Sequence, residues 1–441
     1  RVVRDLSSKA SIDLGAELYA AGWDSPGFIL VPQFDQQRFD SVANRTDGGF
    51  KHRAQERVSL RVLAGSSLTW RSTVYTTQGR WQLFLTTPPE GGITEGTGSQ
   101  LEEEDRRYGF GATSALTWIL PRALITLGGE GRLDHSRYEN YFVTNRVRDS
   151  SQVLVRARQV SGGLFLQSAT DLTRRLQVTI GGRYERHGSR STPTNPASPA
   201  DTAVSAGRGI FAPKFGALFR LPGFGSIYAN ASRGFRRTDG VIVDPTLPFI
   251  TAWAYEGGIK LDIDRLSASA AVFRMDVSDE QTFDPITLTS SSGGSSRRQG
   301  VELGFQARLT PAFTARADWT FNDAKYRRLI TDGGDTLSGA RVFNTAKHLG
   351  TIAADLAPPS AIWQFGASAN VVGPYTPFNE VGVVLPIYAL VHAYAGVHLG
   401  VTQLQIGVRN LLDHVYPELR AGGFVSPGQP RSAYGTVRYV F

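Results

Sequence analysis

Gly435-Thr-Val-Arg-Tyr-Val-Phe441, the last seven residues, alternate as a strand does. Gly435, Val437, Tyr439 and Phe441 point one way, and Tyr434, Thr436, Arg438 and Val440 point the other, because successive side chains of a strand leave on opposite faces. An aromatic residue closing such a pattern fits the final strand of a transmembrane β-barrel, with one face toward lipid and the other toward the lumen.

The same period of two recurs upstream, and no stretch has a helical period. In Val301-Glu-Leu-Gly-Phe-Gln-Ala-Arg-Leu309 the odd positions are apolar and the even ones are Glu302, Gly304, Gln306 and Arg308. Phe313, Ala315, Ala317, Trp319 and Phe321 alternate with Thr314, Arg316, Asp318, Thr320 and Asn322, and Thr310-Pro311-Ala312 is the turn between the two segments. Leu404, Ile406 and Val408 repeat the pattern, as do Val178, Ile180, Gly182 and Tyr184 against Gln177, Thr179, Arg183 and Glu185. A soluble sandwich also alternates, so the connections decide. Short ones fall near Ala64-Gly65, Pro121, Asp171, Pro222-Gly223, Asp262, Pro311, Pro358-Pro359 and Gly400. Long polar ones occupy 23–52, 85–106, 133–152, 188–208, 236–250, 279–297, 327–341, 374–384 and 414–431. Tight turns at one end and long loops at the other are the layout of an outer-membrane barrel. The count predicts about eighteen strands. One uncharged run, Val381 to Val401, has the length of a spanning helix, but it contains Pro386 and alternates from Ala389 onward, so it reads as a loop end followed by a strand.

Composition agrees. With 441 residues, 41% hydrophobic and a mean hydropathy of −0.19, the chain matches a barrel in which only every second strand residue meets lipid. Cysteine is absent, which excludes disulfides and thiolate chemistry. The net charge is +8, but Arg and Lys are spread singly through the alternating segments, so no nucleic-acid partner is expected. No GxSxG elbow, HExxH or P-loop occurs, so no catalytic residue, cofactor or metal site is expected.

Several stretches carry a family likeness. They are Phe211-Ala-Pro-Lys-Phe-Gly-Ala-Leu-Phe-Arg220 with Ile227-Tyr-Ala-Asn-Ala-Ser-Arg-Gly-Phe-Arg236, then Tyr255-Glu-Gly-Gly-Ile-Lys260 with Ala271-Val-Phe-Arg-Met-Asp-Val277. Arg297-Arg-Gln-Gly-Val-Glu-Leu303, Asn410-Leu-Leu-Asp-His-Val-Tyr416, Gly428-Gln-Pro-Arg431 and Ala21-Gly-Trp-Asp-Ser-Pro-Gly27 follow suit. In order and spacing the chain resembles a TonB-dependent outer-membrane receptor of Gram-negative bacteria. The resemblance implies an all-β transmembrane antiparallel barrel of twenty-two strands, about eighteen of them present here, spanning residues 1–441. It implies energised uptake of a scarce solute, most often a ferric siderophore, through the TonB energy-coupling complex. Family members carry an N-terminal plug domain, and no plug is present in this sequence, so the plug and first strands are expected either ahead of Arg1 or on a separate chain. Two other readings stay open: a passive eighteen-stranded porin-type channel, in which the strand of Phe441 pairs with that of Ser11 to Ala20, and a structural barrel completed by another chain.

The resemblance places substrate contacts in the long loops. Tyr138, Tyr141 and Phe142, beside Arg132 and His135, offer aromatics and a cation for an aromatic chelate. Arg233, Arg236 and Arg237 could hold an anionic ligand or face the plug, or else meet lipopolysaccharide phosphates. Glu102-Glu-Glu-Asp-Arg-Arg-Tyr108 reads as a solvated loop whose arginines neutralise its acids. His392 and His398 share a face about 20 Å apart and read as ordinary lumen residues. Tyr439 and Phe441 are the expected signal to the barrel-assembly machinery and an anchor to outer-membrane lipid.

Overall fold

The computed structural model describes residues 1–25, 28–37, 39, 44–87, 99–194, 202–237, 244–284, 289–329, 336–378 and 380–439. Phe441 and the Pro26-Gly27 end of the early loop motif lie outside the described residues.

The chain begins with β1 (Val2–Ser7), β2 (Ala10–Asp24), the two-residue β3 (Ile29–Leu30) and the single-turn α1 (Val31–Asp35). Long strands follow: β4 (Gly48–Ala64), β5 (Leu68–Thr87), β6 (Ser99–Leu120), β7 (Ala123–Thr144), β8 (Val147–Asp171), β9 (Leu176–Pro193) and β10 (Val204–Leu221). Next come β11 (Gly225–Arg236), β12 (Ile250–Ile263), β13 (Leu266–Asp284), β14 (Thr289–Arg308) and β15 (Phe313–Arg328). Then come β16 (His348–Leu356), β17 (Trp363–Val372), β18 (Tyr388–Leu399) and β19 (Thr402–Arg409), and last β20 (Pro417–Ala421), β21 (Phe424–Pro427) and β22 (Ser432–Tyr439).

Nineteen of these strands form one antiparallel sheet in which each pairs with the next along the chain, from β1 and β2 through β4 to β19 and on to β22. That is one more than the connections implied. The additional strand is β1, which turns back through Ser8-Lys9 onto β2. β4 pairs along the whole of β2, and β1 occupies its other edge over Ala10 to Leu14. Among the described residues β22 pairs with β19 and not with Ser11 to Ala20, so the closure that the porin reading required is not seen. A second sheet of β20, β21 and β3 ties loops from the two ends of the large sheet together, with Phe424 opposite Leu30 and Val425 opposite Ile29. Since β2 and β22 stand near opposite ends of the strand order, this contact shows that the sheet curls round into a barrel wall.

The alternation sorts the two faces. Outward go Leu18, Leu164, Ile352, Ile406 and Val437, all strongly exposed. Inward go Thr77, Glu130, Arg183, Glu256 and Gln405, and no helix among the described residues is long and apolar enough to cross a membrane. Aromatic rings lie over inward glycines of the neighbouring strand. A Cβ on Gly111 would sit 2.3 Å from the Tyr75 ring, and one on Gly407 would sit 2.3 Å from the Tyr434 ring.

The predicted loop 133–152 is a hairpin instead. β7 and β8 continue through it and turn at Asn145-Arg146, both with positive φ, 49° and 68°, as a two-residue primed turn requires. β8 has 25 residues, whereas about 9–11 tilted residues cross a bilayer. The rest of the hairpin projects beyond the lipid band together with β6, which stays paired to β7 up to Gln100 and Val143, and β5, which stays paired to β6 up to Thr87 and Ser99. The run from Val381 resolves as expected, into a loop end and β18.

Candidate functional site: the inner wall at the long-loop end

Above the lipid band, the inward face of β6–β11 carries several separate clusters of charged and polar side chains. Arg132 donates to Asp134 at 2.6 and 2.7 Å, two residues along the same strand face. On β6, Arg107 donates to Asp105 at 2.5 Å. Glu103 is hydrogen-bonded to Tyr138, and the Asn140 amide reaches the Tyr138 hydroxyl at 3.4 Å. Toward β9, Arg183 bridges Glu130, at 2.5 Å, and Glu185. Arg237 closes the series, 3.6 Å from Glu185 and donating to Ser161 at 2.7 Å. All but Arg237, which follows the end of β11, sit on strands instead of loops, so their spacing is fixed by the ladder.

Burial sets their protonation. Tyr138 is only 2% exposed; burial first, and then the nearby Glu103 charge, push its hydroxyl well above the usual phenol range. Burial also raises the Glu103 carboxyl, opposed by its hydrogen bond to Tyr138, and it raises Asp105 against the pull of Arg107. The wall is thus a partly desolvated, hydrogen-bonded surface. It can orient a polar solute through phenol, amide and guanidinium groups. Among the described residues no group of three or more His, Cys, Asp or Glu is placed to hold a metal ion.

The expected ligand residues divide between the faces. Arg132 and Tyr138 lie on the inner wall. His135 and Tyr141, at odd positions of the same strand, share the outer face with Glu102 and Glu104. Tyr141 there stacks under Arg148, whose guanidinium carbon is 3.9 Å from the ring centroid. Arg236 is exposed at the end of β11, while Arg233 points outward and reaches the Phe211 carbonyl at 3.4 Å. Arg237 belongs to the inner network. Glu102 to Tyr108 are within β6, not in a solvated loop, and Glu102 and Glu104 are each 1% exposed. Arg148 clamps Glu102 at 2.7 and 2.6 Å, and Arg80 and Arg106 hold Glu104 at 2.7 and 2.8 Å. His392 contacts Asn370 at 3.2 Å, and His398 contacts Gln364 at 3.2 Å, consistent with polar lumen residues. Tyr439 is exposed on the outward face beside the short turns. The sequence did not single out Glu130 or Asp134, and it placed Glu103 only within the charged run 102–108. Their only signal was parity within the alternation, and it names no partner.

Residues 5–411 match the family described as TonB dependent receptor-like, beta-barrel. Among curated proteins, the metal-pseudopaline receptor CntO of Pseudomonas aeruginosa is 26% identical over 292 residues, a match covering 61% of this chain and 39% of the relative. Among solved structures, the siderophore receptor PiuA of Acinetobacter baumannii superposes with a TM-score of 0.83 at 15% identity, covering 99% of this chain and 73% of that one. The ferric citrate transporter FecA gives 0.82 at 17%, covering 98% and 68%, and the copper transporter OprC gives 0.76 at 15%, covering 99% and 70%. The likeness to these structures establishes the shared wall, and the match over 5–411 establishes descent: the chain belongs to the TonB-dependent receptor β-barrel family of the bacterial outer membrane, a family of transport receptors and not of enzymes.

Proposed function

We propose that residues 1–441 are one barrel domain, the wall of an outer-membrane receptor that takes up a metal chelate, a ferric siderophore being the first candidate, with energy supplied through TonB. The observation that carries this reading is the run of inward-facing polar clusters from Asp105 and Tyr138 to Arg237, a polar surface at the mouth of the lumen. The named substrates of the relatives, a metal-bound pseudopaline for CntO and copper for OprC, support a metal or its chelate as cargo. A plug of the family's kind would lie outside these residues. Of the expected ligand residues, Arg132, Tyr138 and Arg236 remain in the contact set, while His135, Tyr141 and Arg233 leave it because their face is turned from the lumen.

Metal accumulation by cells carrying the intact receptor gene, by cells lacking it and by cells lacking TonB tests the reading. Under metal starvation with added chelates, accumulation is expected only when both are present. Steady open-channel conductance of the intact receptor, with TonB-independent uptake, would favour the passive channel instead.

A further inference from the structure

Over most of the wall the lipid-covered face is built of large apolar side chains, Leu164, Phe215, Val272, Phe305 and Ile352 among them. The sector of β2, β4 and β5 departs from that. Ala16 stands opposite Glu56, and Glu56 opposite Thr76; one step higher, Leu18 stands opposite Ala54, and Ala54 opposite Gln78. These residues share the outward face with Leu14, Val58 and Val74 below them, since side chains two apart on a strand point the same way. Glu56 lies eight residues from the short-turn end of β4 at Ala64, and Thr76 eight from that of β5 at Leu68. At the same count from Phe313, β15 presents Phe321, and β6 still presents Phe110 ten residues from Leu120. Glu56 therefore stands at a level where other strands meet lipid with apolar groups. A charge on the lipid face destabilises a barrel wall, so Glu56 calls for a neighbour other than lipid. It is exposed, and the one described group that bonds it is the Thr76 hydroxyl, which donates to its carboxylate. The Gln78 carboxamide is exposed as well and bonds no described residue.

The shape of the sector indicates what the neighbour is. Two barrels side by side in a membrane are both convex and touch along a line. Side chains on that line must be short, and those to either side must be long enough to cross the widening gap. On β4 and β5 the outward residues at this level are Ala54, Glu56 and Thr76; flanking them are Leu18 of β2, 82% exposed, and Tyr108 and Phe110 of β6, 60% and 53% exposed. A groove of about 410 Å³ opens between Leu14, Ala16, Glu56, Val58, Thr76 and Phe110. The polar groups are also self-complementary. A two-fold axis along the membrane normal preserves height, and if it passes between β4 and β5 it sets β4 of one copy against β5 of the other. The Glu56 acceptor then meets the Gln78 donor, and the pair forms twice. In lipid, where apolar surface gives no drive to associate, small residues and polar hydrogen bonds join protein surfaces.

We propose that the outward face of β2, β4, β5 and β6 is the contact surface of a homodimer, with its axis between β4 and β5, and that Glu56 of each copy accepts a hydrogen bond from Gln78 of the partner subunit. The lumen lies on the other side of the wall, so the contact does not depend on which solute is carried.

Cysteine cross-linking of the intact receptor in native outer membranes tests this. Residues 1–441 contain no cysteine, so a single one can be placed at will. Ala54→Cys, close to the axis, should give a band of twice the receptor mass on oxidation, reversed by reductant. Leu303→Cys, on the outward face of β14, should not. At a receptor density that leaves part of the Ala54→Cys protein monomeric, adding Glu56→Leu or Gln78→Leu should lower the cross-linked fraction about tenfold, because two hydrogen bonds are lost per dimer. No dimer band from Ala54→Cys, an equal band from Leu303→Cys, or a yield that neither leucine variant changes overturns the proposal. A band of any other mass also overturns it, since the occupant would then be a different protein. Should Glu56→Leu fail to assemble, Gln78→Leu carries the same comparison, a reduced yield supporting the contact and an unchanged one sinking it.

Discussion

Glu103 and Glu104 are chain neighbours in β6, and the strand period sends them to environments of opposite character. Glu103 faces inward, where burial raises its pKa against a single hydrogen bond with Tyr138. Glu104 faces outward, where burial also pushes upward, but hydrogen bonds from Arg106 and Arg80 outweigh it and the net shift is downward. The consequences for stability have opposite signs. A carboxyl with a raised folded-state pKa costs stability once pH exceeds that pKa, and the cost disappears below the ordinary carboxylate range. One with a depressed pKa contributes stability above the ordinary range and loses it as pH falls through the folded value. Glu103→Gln, which keeps a partner for Tyr138, should therefore leave the barrel as stable as the wild type or more so at neutral pH, with the difference vanishing on acidification. Glu104→Gln should lower stability by about 1 kcal/mol at neutral pH, a figure reduced by solvent around the half-exposed arginines, and its deficit should also shrink in acid. Thermal melts of both variants across pH, read by loss of the heat-resistant band on gels, check the two signs. A Glu103→Gln deficit at neutral pH would contradict the burial of that side chain.

At the scale of elements, strand pairing fixes more than side-chain chemistry. Gly300 of β14 stands opposite Asn322 of β15, and a Cβ there would lie 1.8 Å from the Phe321 carbonyl oxygen. Gly300→Ala must push the strands apart and should cost about 3 kcal/mol, whereas Gly188→Ala, with nothing within 4 Å of the added carbon, should stay within about 0.5 kcal/mol. Unfolding of both in urea would show whether the close approach is real; equal stabilities would deny it. The same pairing explains what could be read from sequence. Where lipid covers one face, Val301 to Leu309 and Phe313 to Asn322 alternate cleanly, and both were placed as strands. Above the lipid, both faces of β7 and β8 meet polar surroundings, the alternation fades, and residues 133–152 looked like a loop. β1 escaped for a related reason: Val2 and Val3 lie on opposite faces with no polar contrast between them. Within the site, Arg132 and Asp134 could be paired from parity alone, but Arg183 and Glu130 are 53 residues apart and meet only because the registers of β7, β8 and β9 bring them together.

For the whole molecule, the decisive contact is the small sheet at the long-loop end. The described edges of the large sheet, β1 and β22, do not pair with each other, so backbone pairing alone does not report how far the wall curls. The loop after β2 and the loop after β19 do report it, because β3 pairs with β21. Val31 donates its backbone N–H to the Gly423 carbonyl at 3.1 Å, and Val425 is fully buried. Arg420 grips Glu380 at 2.7 Å, and Glu380 also accepts from the Gly423 N–H at 3.1 Å. This anchors the loop after β17 to the same staple. Opposed residues of an antiparallel pair lie within the Cα separation that a disulfide spans, and the protein has no cysteine of its own. Leu30→Cys together with Phe424→Cys should therefore cross-link on oxidation, giving a faster-migrating band on non-reducing gels after full heat denaturation that reverts with reductant. The loop so closed contains nearly the whole sheet, so the shift should be large. A control pairing Leu30→Cys with Val437→Cys, on the outward face of β22, should not cross-link. If neither pair closes, the ends of the sheet do not meet as β3 and β21 require, and the wall is more open than a barrel.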